Sequence, residues 1–395
     1  MPEERVLVLG AGTGGLVAAN LLAYHGYKVT IVEKSDFHLF QPGMLWIAFK
    51  GHRPERYLRP VEDLVRPGVE LVKGVVEKVD FAERKVTLGD GRSLSYDKII
   101  VALGASLDYD AVPGHRQLFE SIGDYFGGAD AAAKFWSHFS KLTEGTLVVA
   151  AADPLYKCPP APHKAAFLAA DTLRRKGLLG KVKVVLALPF IHEYASETMA
   201  KIIGPKLREA GIEVKTMFTV DSIDVENKVI NSLEGESIEY TLATVIPVHG
   251  GPRIEVNPPN AVDEDGYIKV NKYTLQVEGY DDAYAIGDCT NAPTSKTGVT
   301  AHLGAEVVVD RIMGFEARFT GRTNCPVVAD GEAAFVISDY EHPPVPVRFS
   351  KMKRLMEDLF IAAYWSSLKY PEKWQAVFRA YFEATSPAVL GERGW

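Results

Sequence analysis

Residues 5–34, RVLVLGAGTGGLVAANLLAYHGYKVTIVEK, decide the fold. An apolar run meets a glycine cluster, then a helix-like stretch, then a second apolar run. That order predicts strand, helix, strand, a βαβ unit of about 30 residues. Gly10, Gly12 and Gly15 satisfy G-x-G-x-x-G, with Thr13 and Gly14 inside the turn. Such glycines permit a tight turn and let backbone N–H groups approach a pyrophosphate at a helix N-terminus. Glu33 ends the second strand, where a carboxylate can accept from ribose hydroxyls. A glycine turn with no ligand is the alternative, and the strand-turn-helix context counts against it.

Working outward, Tyr284-Ala-Ile-Gly287-Asp288 reads as a buried strand ending in Gly-Asp, suited to the ribityl or phosphate part of a flavin dinucleotide. The stretch 101–105, VALGA, with Ala102 and Gly104, closes the same domain. Together the three pieces resemble the FAD domain of the two-dinucleotide-binding flavoproteins. Lys34, Gln41, Val76, Lys296 and Thr297 join the expected cofactor contacts.

The middle third repeats the theme: TLVVAAA, a helix, KVKVVLALP, a helix, IEVKTMF, then a hairpin and return strand echoing residues 85–105. The expected fold class is α/β, with two Rossmann-like dinucleotide-binding domains, the second inserted in the first, plus a C-terminal amphipathic helical tail. The expected spans are 1–105 and 268–325 for the FAD domain, 106–267 for the insert, and 326–395 for the tail region.

A chain of 395 residues can bury two or three cores. Its net charge of −7, with no concentrated basic helix or zinc spacing, disfavours nucleic acid as a partner and suggests no metal. No run of about 20 apolar residues spans a bilayer. The N-terminus enters a strand at once, without a leader pattern, which points to folding in the cytoplasm. Three cysteines, Cys158, Cys289 and Cys325, are too few for a disulfide scaffold and read as packing residues or redox-active thiols.

A second nucleotide site should carry a second glycine turn after TLVVAAA. Instead the chain reads DPLYKCPPAPHK, residues 153–164, with no glycine between Gly145 and Gly177. Asp153 would face a pyrophosphate with like charge, and Pro154 removes a donor. The next strand ends Leu186-Ala-Leu-Pro189, without an acidic ribose partner. Nicotinamide is therefore disfavoured as electron donor. Cys158 stands in its path, where Lys157 and the start of the following helix favour a thiolate. Cys325 also neighbours a proline, in an expected loop, whereas Cys289 is expected to pack.

Tyr156-Lys-Cys158-Pro-Pro-Ala-Pro, Gly287-Asp288-Cys-Thr-Asn-Ala-Pro-Thr-Ser-Lys296-Thr-Gly and Thr323-Asn-Cys325-Pro-Val-Val resemble the signatures of sulfide:quinone oxidoreductases, relatives of flavocytochrome c sulfide dehydrogenases. The resemblance implies a Cys158–Cys325 redox pair on one face of the flavin. Sulfide would be the substrate and membrane quinone the electron acceptor. Cys325 is expected to be the thiolate that meets the ring, and Lys296 to lie near the ring's pyrimidine end. Two departures matter. The chain has no cysteine between Met1 and Lys157, so the FAD is expected to be non-covalent. Where the family often has a glutamate, this chain has His163-Lys164; His163 is a candidate proton handler, with a packed or helix-capping histidine as the alternative.

In the tail, Met352, Leu355, Met356, Leu359, Phe360 and Ala363 recur at helical spacing, as do Trp374, Val377, Phe378, Tyr381 and Phe382 after Pro371. From Arg348 to Trp395 there are eight Lys/Arg against five Asp/Glu. Two basic amphipathic helices suit an anionic lipid surface; packing on the body or on a second subunit is the alternative. The expected location is peripheral on the cytoplasmic membrane, with a homo-oligomer left open. Tyr364, Trp365 and Phe360 are candidate walls of a quinone channel. Rival functions are a sulfide dehydrogenase serving a cytochrome c, an NADH:quinone oxidoreductase, and a non-catalytic flavin-bearing sulfur carrier or sensor.

Overall fold

The computed structural model describes residues 4–329 and 331–392. Residues 1–3, 330 and 393–395 of the expected domain spans lie outside the described residues. Arg5–Leu9 forms the central strand of a parallel sheet, between Lys28–Glu33 on one side and Lys98–Val101 on the other. Val69–Lys73 and Ala283–Ala285 complete its two edges. Helix α1, Thr13–Tyr24, follows the first strand and buries Leu16, Val17, Leu21 and Leu22 against it. The apolar runs are near-continuous because both faces of a parallel sheet are covered.

The insert has its own parallel sheet. Gly145–Ala151 pairs with Val182–Ala187 and with Leu242–Ile246, and Ile212–Lys215 forms the outer edge. The chain leaves the first domain through Ser106–Asp108 and returns through Val248–Gly250, and these two strands pair antiparallel as a ribbon. One Rossmann-like unit is therefore threaded into the other, as expected.

Two expected boundaries move. Glu255–Asn257 already pairs with Val76–Asp80, in a separate four-stranded sheet built from the first domain's span, so the insert ends before residue 267. Cys325 is not in a loop. It lies inside the strand Thr323–Ala329, which pairs in full with Glu332–Ser338, so a boundary at 325 would cut a strand. Proline beside the cysteine misled the sequence reading, because Pro326 is tolerated in a strand on an edge of the three-stranded sheet.

Four more helices frame the site: Ala161–Arg175 (α2), Gly298–Ile312 (α3), Lys351–Lys369 (α4) and Pro371–Ala384 (α5). Pro371 opens α5 as its first residue, as the fixed φ of proline favours. Helix α4 packs on the Glu332–Ser338 strand and on α1. Among the described residues no helix is long and apolar enough to cross a membrane.

Candidate active site

The glycine turn has the geometry that its sequence predicts. Gly10 has φ +95°, and a Cβ there would meet the Ala102 carbonyl oxygen at 2.6 Å. A Cβ on Gly15 would meet the Gly10 oxygen at 1.8 Å. Gly12 differs: a Cβ there would reach only Ala102 O, at 4.0 Å, so its backbone faces open space. The N-terminus of α3 converges on this turn, since a Cβ on Gly298 would lie 3.9 Å from Thr13 Oγ1. Thr297 caps α3 by accepting from the Thr300 amide at 3.2 Å. Gly104, with φ +72° and nothing within 4 Å of a notional Cβ, leaves the same cradle open.

Glu33 is held for its expected role by two amides. Its carboxylate accepts from Ala11 N and Ser35 N, each at 2.7 Å. Gly74 N donates to the Glu33 carbonyl at 3.0 Å, which brings the chain before Val76 to the same edge. Val76 itself is buried at the start of its strand, while Lys34 and Gln41 are exposed.

Asp288 follows Gly287, whose φ is +72°. Burial raises its carboxyl, offset by the charges of Lys157 and Lys296. No hydrogen bond from a described residue reaches that carboxylate, which leaves it free for ligand hydroxyls. Lys296 donates to the carbonyls of Asp288 (3.2 Å) and Thr290 (2.9 Å) and lies 3.9 Å from the Tyr267 ring centroid. Two helix N-termini, an open glycine turn and two placed carboxylates fit a dinucleotide, and the geometry suits FAD.

The second half of the site is sulfur. The amide of Cys158 donates to the Lys296 carbonyl at 2.8 Å, tying the 153–160 loop to the flavin side. The Cys158 carbonyl accepts from Ala161 N at 2.8 Å as α2 begins. Cys158 has φ +58°, a left-handed conformation that strains a residue bearing a Cβ. Cys158 and Cys325 are both free thiols, and each perturbs the acidity of the other.

The two sulfurs differ in acidity. Cys325 lowers the Cys158 thiol, and Lys164 lowers it further, against burial. Cys158 and burial push the Cys325 thiol well up. Thr323 Oγ1 lies 3.8 Å from Cys325 Sγ. Lys157 lowers Cys158 as the sequence suggests, Lys164 more so, and burial lowers Lys157 itself. Cys289 packs as expected: its Sγ approaches the carbonyls of Val101 (3.3 Å) and Ile286 (3.2 Å), and burial pushes its thiol up to about 11.

His163 is fully buried. Its Nε2 donates to the Glu193 carbonyl at 2.6 Å, and its Nδ1 is buried without a partner. Burial lowers it to about 4, so it is neutral at pH 7. Its hydrogen bond runs to the backbone rather than to either sulfur.

Two contacts from the tail escaped sequence reasoning. Lys164 Nζ lies 3.3 Å from Glu357 Oε1 of α4, with both side chains buried. Tyr364, also on α4, bonds Thr13 Oγ1 and His38 Nε2, each at 2.8 Å. His38 Nδ1 donates to Ala11 O at 2.8 Å, so its Nε2 accepts from Tyr364. Tyr364 therefore buttresses the glycine turn. A helical periodicity plot could not have found either contact; the only signal was a glutamate inside an apolar stripe.

The fold and this site define a flavin-binding disulfide oxidoreductase of the two-dinucleotide-binding type. The pyridine nucleotide-disulphide oxidoreductase family model matches residues 4–149 and 164–305, and the chain belongs to that family. The gap between the two matched segments, 150–163, holds the Cys158 loop, and Cys325 lies beyond the second. The chain is 26% identical to the mitochondrial sulfide:quinone oxidoreductase of Mus musculus, over 98% of this chain and 88% of that one. It is 25% identical to its counterpart in Dictyostelium discoideum, over 92% and 85%. The sulfide:quinone oxidoreductase structure from Aquifex aeolicus superposes with a TM-score of 0.82 at 18% identity, covering 97% of this chain and 95% of that chain.

Proposed function

We propose that this protein oxidises sulfide to polysulfide or sulfur through Cys158 and Cys325 and passes the electrons by way of FAD to membrane quinone. The observation that carries this reading is Cys158 standing where a nicotinamide turn would be, its amide tied to the Lys296 carbonyl at 2.8 Å. The similar mitochondrial proteins, sulfide:quinone oxidoreductases by name, agree with it.

Gly12, Thr13, Glu33, Asp288 and Lys296 would hold the FAD without a covalent bond. FAD held there would supply two-electron redox chemistry between the cysteine pair and quinone. The residues do the rest. From the disulfide state, hydrosulfide attacks Cys325 Sγ; the S–S bond breaks, leaving a Cys325 persulfide and a Cys158 thiolate. A more acidic thiol leaves faster, which assigns the thiolate to Cys158 and reverses the expectation for Cys325. A second hydrosulfide attacks the outer sulfur, releasing H2S2 and leaving both cysteines reduced. Two hydrosulfides have then supplied the two electrons. His163, neutral and bonded to Glu193, would orient the loop rather than carry protons.

The tail favours a lipid surface. On α4, Met352 (72% exposed), Leu355, Met356, Leu359 and Phe360 face outward, while Glu357, Tyr364 and Leu368 face the body. On α5, Phe378 turns inward against His302 and Phe360. The lipid-facing and body-packed alternatives thus divide between the two helices. A monotopic enzyme on the cytoplasmic membrane would collect quinone there.

The test is anaerobic steady-state reduction of a soluble quinone by flavin-loaded protein with sulfide as donor. Sustained turnover supports the reading. A single flavin reduction that then stops would make the protein a sulfur carrier.

A further inference from the structure

The Lys164–Glu357 contact calls for an explanation beyond stability. The pair is almost completely enclosed, at 3% and 5% side-chain exposure. Burying two charges costs their hydration, and a well-packed apolar pair at such a place is often as stable or more so. This pair joins two elements with separate duties. Lys164 occupies the first turn of α2, its amide donating to Pro160 O at 2.9 Å, directly after the Cys158 loop. That helix packs on the Thr323–Ala329 strand, which carries Cys325. Glu357 comes from α4, whose outer face is apolar and exposed.

We propose that Lys164 is the positioning cation of the Cys158–Cys325 pair, and that Glu357 of the tail helix fixes where its ammonium sits. The inference deepens the sulfide-oxidising reading of that cysteine pair and rests on it. A fixed positive charge beside two thiols holds one of them as the thiolate, and Lys164 lowers both sulfurs.

The surrounding charges are few. From its own loop come Lys157 and Cys158, from the neighbouring strand Cys325, and from the flavin side Asp288. From α4 come Glu357 and Arg354. Arg354 Nη1 lies 2.9 Å from Glu357 Oε2, and Arg354 Nη2 lies 2.7 Å from Asp358 Oδ1. The guanidinium also stands 4.9 Å from the Trp46 ring centroid. Both Glu357 oxygens are therefore engaged, and the carboxylate cannot swing away from Lys164 without breaking a second ion pair. Without Glu357 the ammonium loses the contact that fixes its place, and the cysteines lose their positioned cation.

The experiment is the rate of Cys158 carboxamidomethylation by iodoacetamide against pH, on flavin-loaded, reduced full-length protein, read by peptide mass. It needs neither sulfide nor quinone, so failure of the functional reading and failure of this inference remain distinguishable. Lys164→Met should slow labelling at pH 7 by about tenfold and move the profile to higher pH, one unit being tenfold in thiolate. Glu357→Gln should move it the same way. The double substitution Lys164→Met/Glu357→Leu removes both buried charges together, protects folding, and should label no more slowly than Lys164→Met alone. A profile unchanged in Glu357→Gln, or unchanged in the folded double variant, would overturn the proposal and leave the pair as structural glue.

Discussion

The Cys158 amide and the Lys296 carbonyl, 2.8 Å apart, join the sulfur half of the site to the flavin half. The bond fixes the loop while Cys158 holds a left-handed backbone. Any residue with a Cβ is strained there, and a glycine would not be.

This gives a stability prediction opposed to function. Cys158→Gly should be more stable than Cys158→Ala by about 1 kcal/mol in urea unfolding of the flavin-loaded protein. Both variants should lose sulfide-dependent flavin reduction. Equal midpoints for the two would contradict the strain seen at this residue.

Tyr364 should govern flavin affinity from the tail. Tyr364→Phe deletes the hydroxyl that bridges Thr13 and His38. Losing such a buried bond costs about 1 kcal/mol, or roughly fivefold in FAD dissociation constant. Fluorescence of released flavin on dilution measures it, and unchanged affinity would remove Tyr364 from the cofactor site.

Buried histidines set an acid limit on stability. His115 donates to the Val245 carbonyl, and burial lowers it to about 4. Its folded value lies below its unfolded one, so its contribution is complete above pH 6.5 and is lost as pH falls towards 4. The full effect is on the order of 3 kcal/mol. His115→Gln should therefore lose stability to acid less steeply than the parent, and the gap between their denaturation midpoints should narrow from pH 7 to pH 4.5.

Membrane docking is best tested on α4 without removing it. Truncation before Ser350 would strip Glu357 and Tyr364 from the site as well as the apolar face. Leu355→Glu and Leu359→Glu alter exposed positions, at 58% and 62% exposure. Each should cut partition onto anionic phosphatidylglycerol vesicles about tenfold or more, since burying a leucine is worth roughly 1.5–3 kcal/mol. Unchanged sedimentation with vesicles would sink the lipid role of this face.

What the sequence disclosed follows from locality. The glycine turn, both parallel sheets and the replaced second turn are written in runs of neighbouring residues, so periodicity and spacing revealed them. Cys158 was marked by its lysine neighbour and the helix that follows, but its pairing with Cys325 came from motif resemblance. The contacts that complete the site span far more chain: Thr13 and Tyr364 are 351 positions apart, and Lys164 and Glu357 are 193 apart. Periodicity did not disclose the inner face of α4. Its apolar stripe was the visible signal, yet the face towards the body carries Glu357, Tyr364 and Ser367, polar residues satisfied by distant or backbone partners.

The most direct test of the central claim is anaerobic flavin absorbance with sulfide and NADH added separately. Sulfide should bleach the bound FAD rapidly, NADH should not, and a soluble quinone should restore the oxidised spectrum. Rapid bleaching by NADH with none by sulfide would contradict the account.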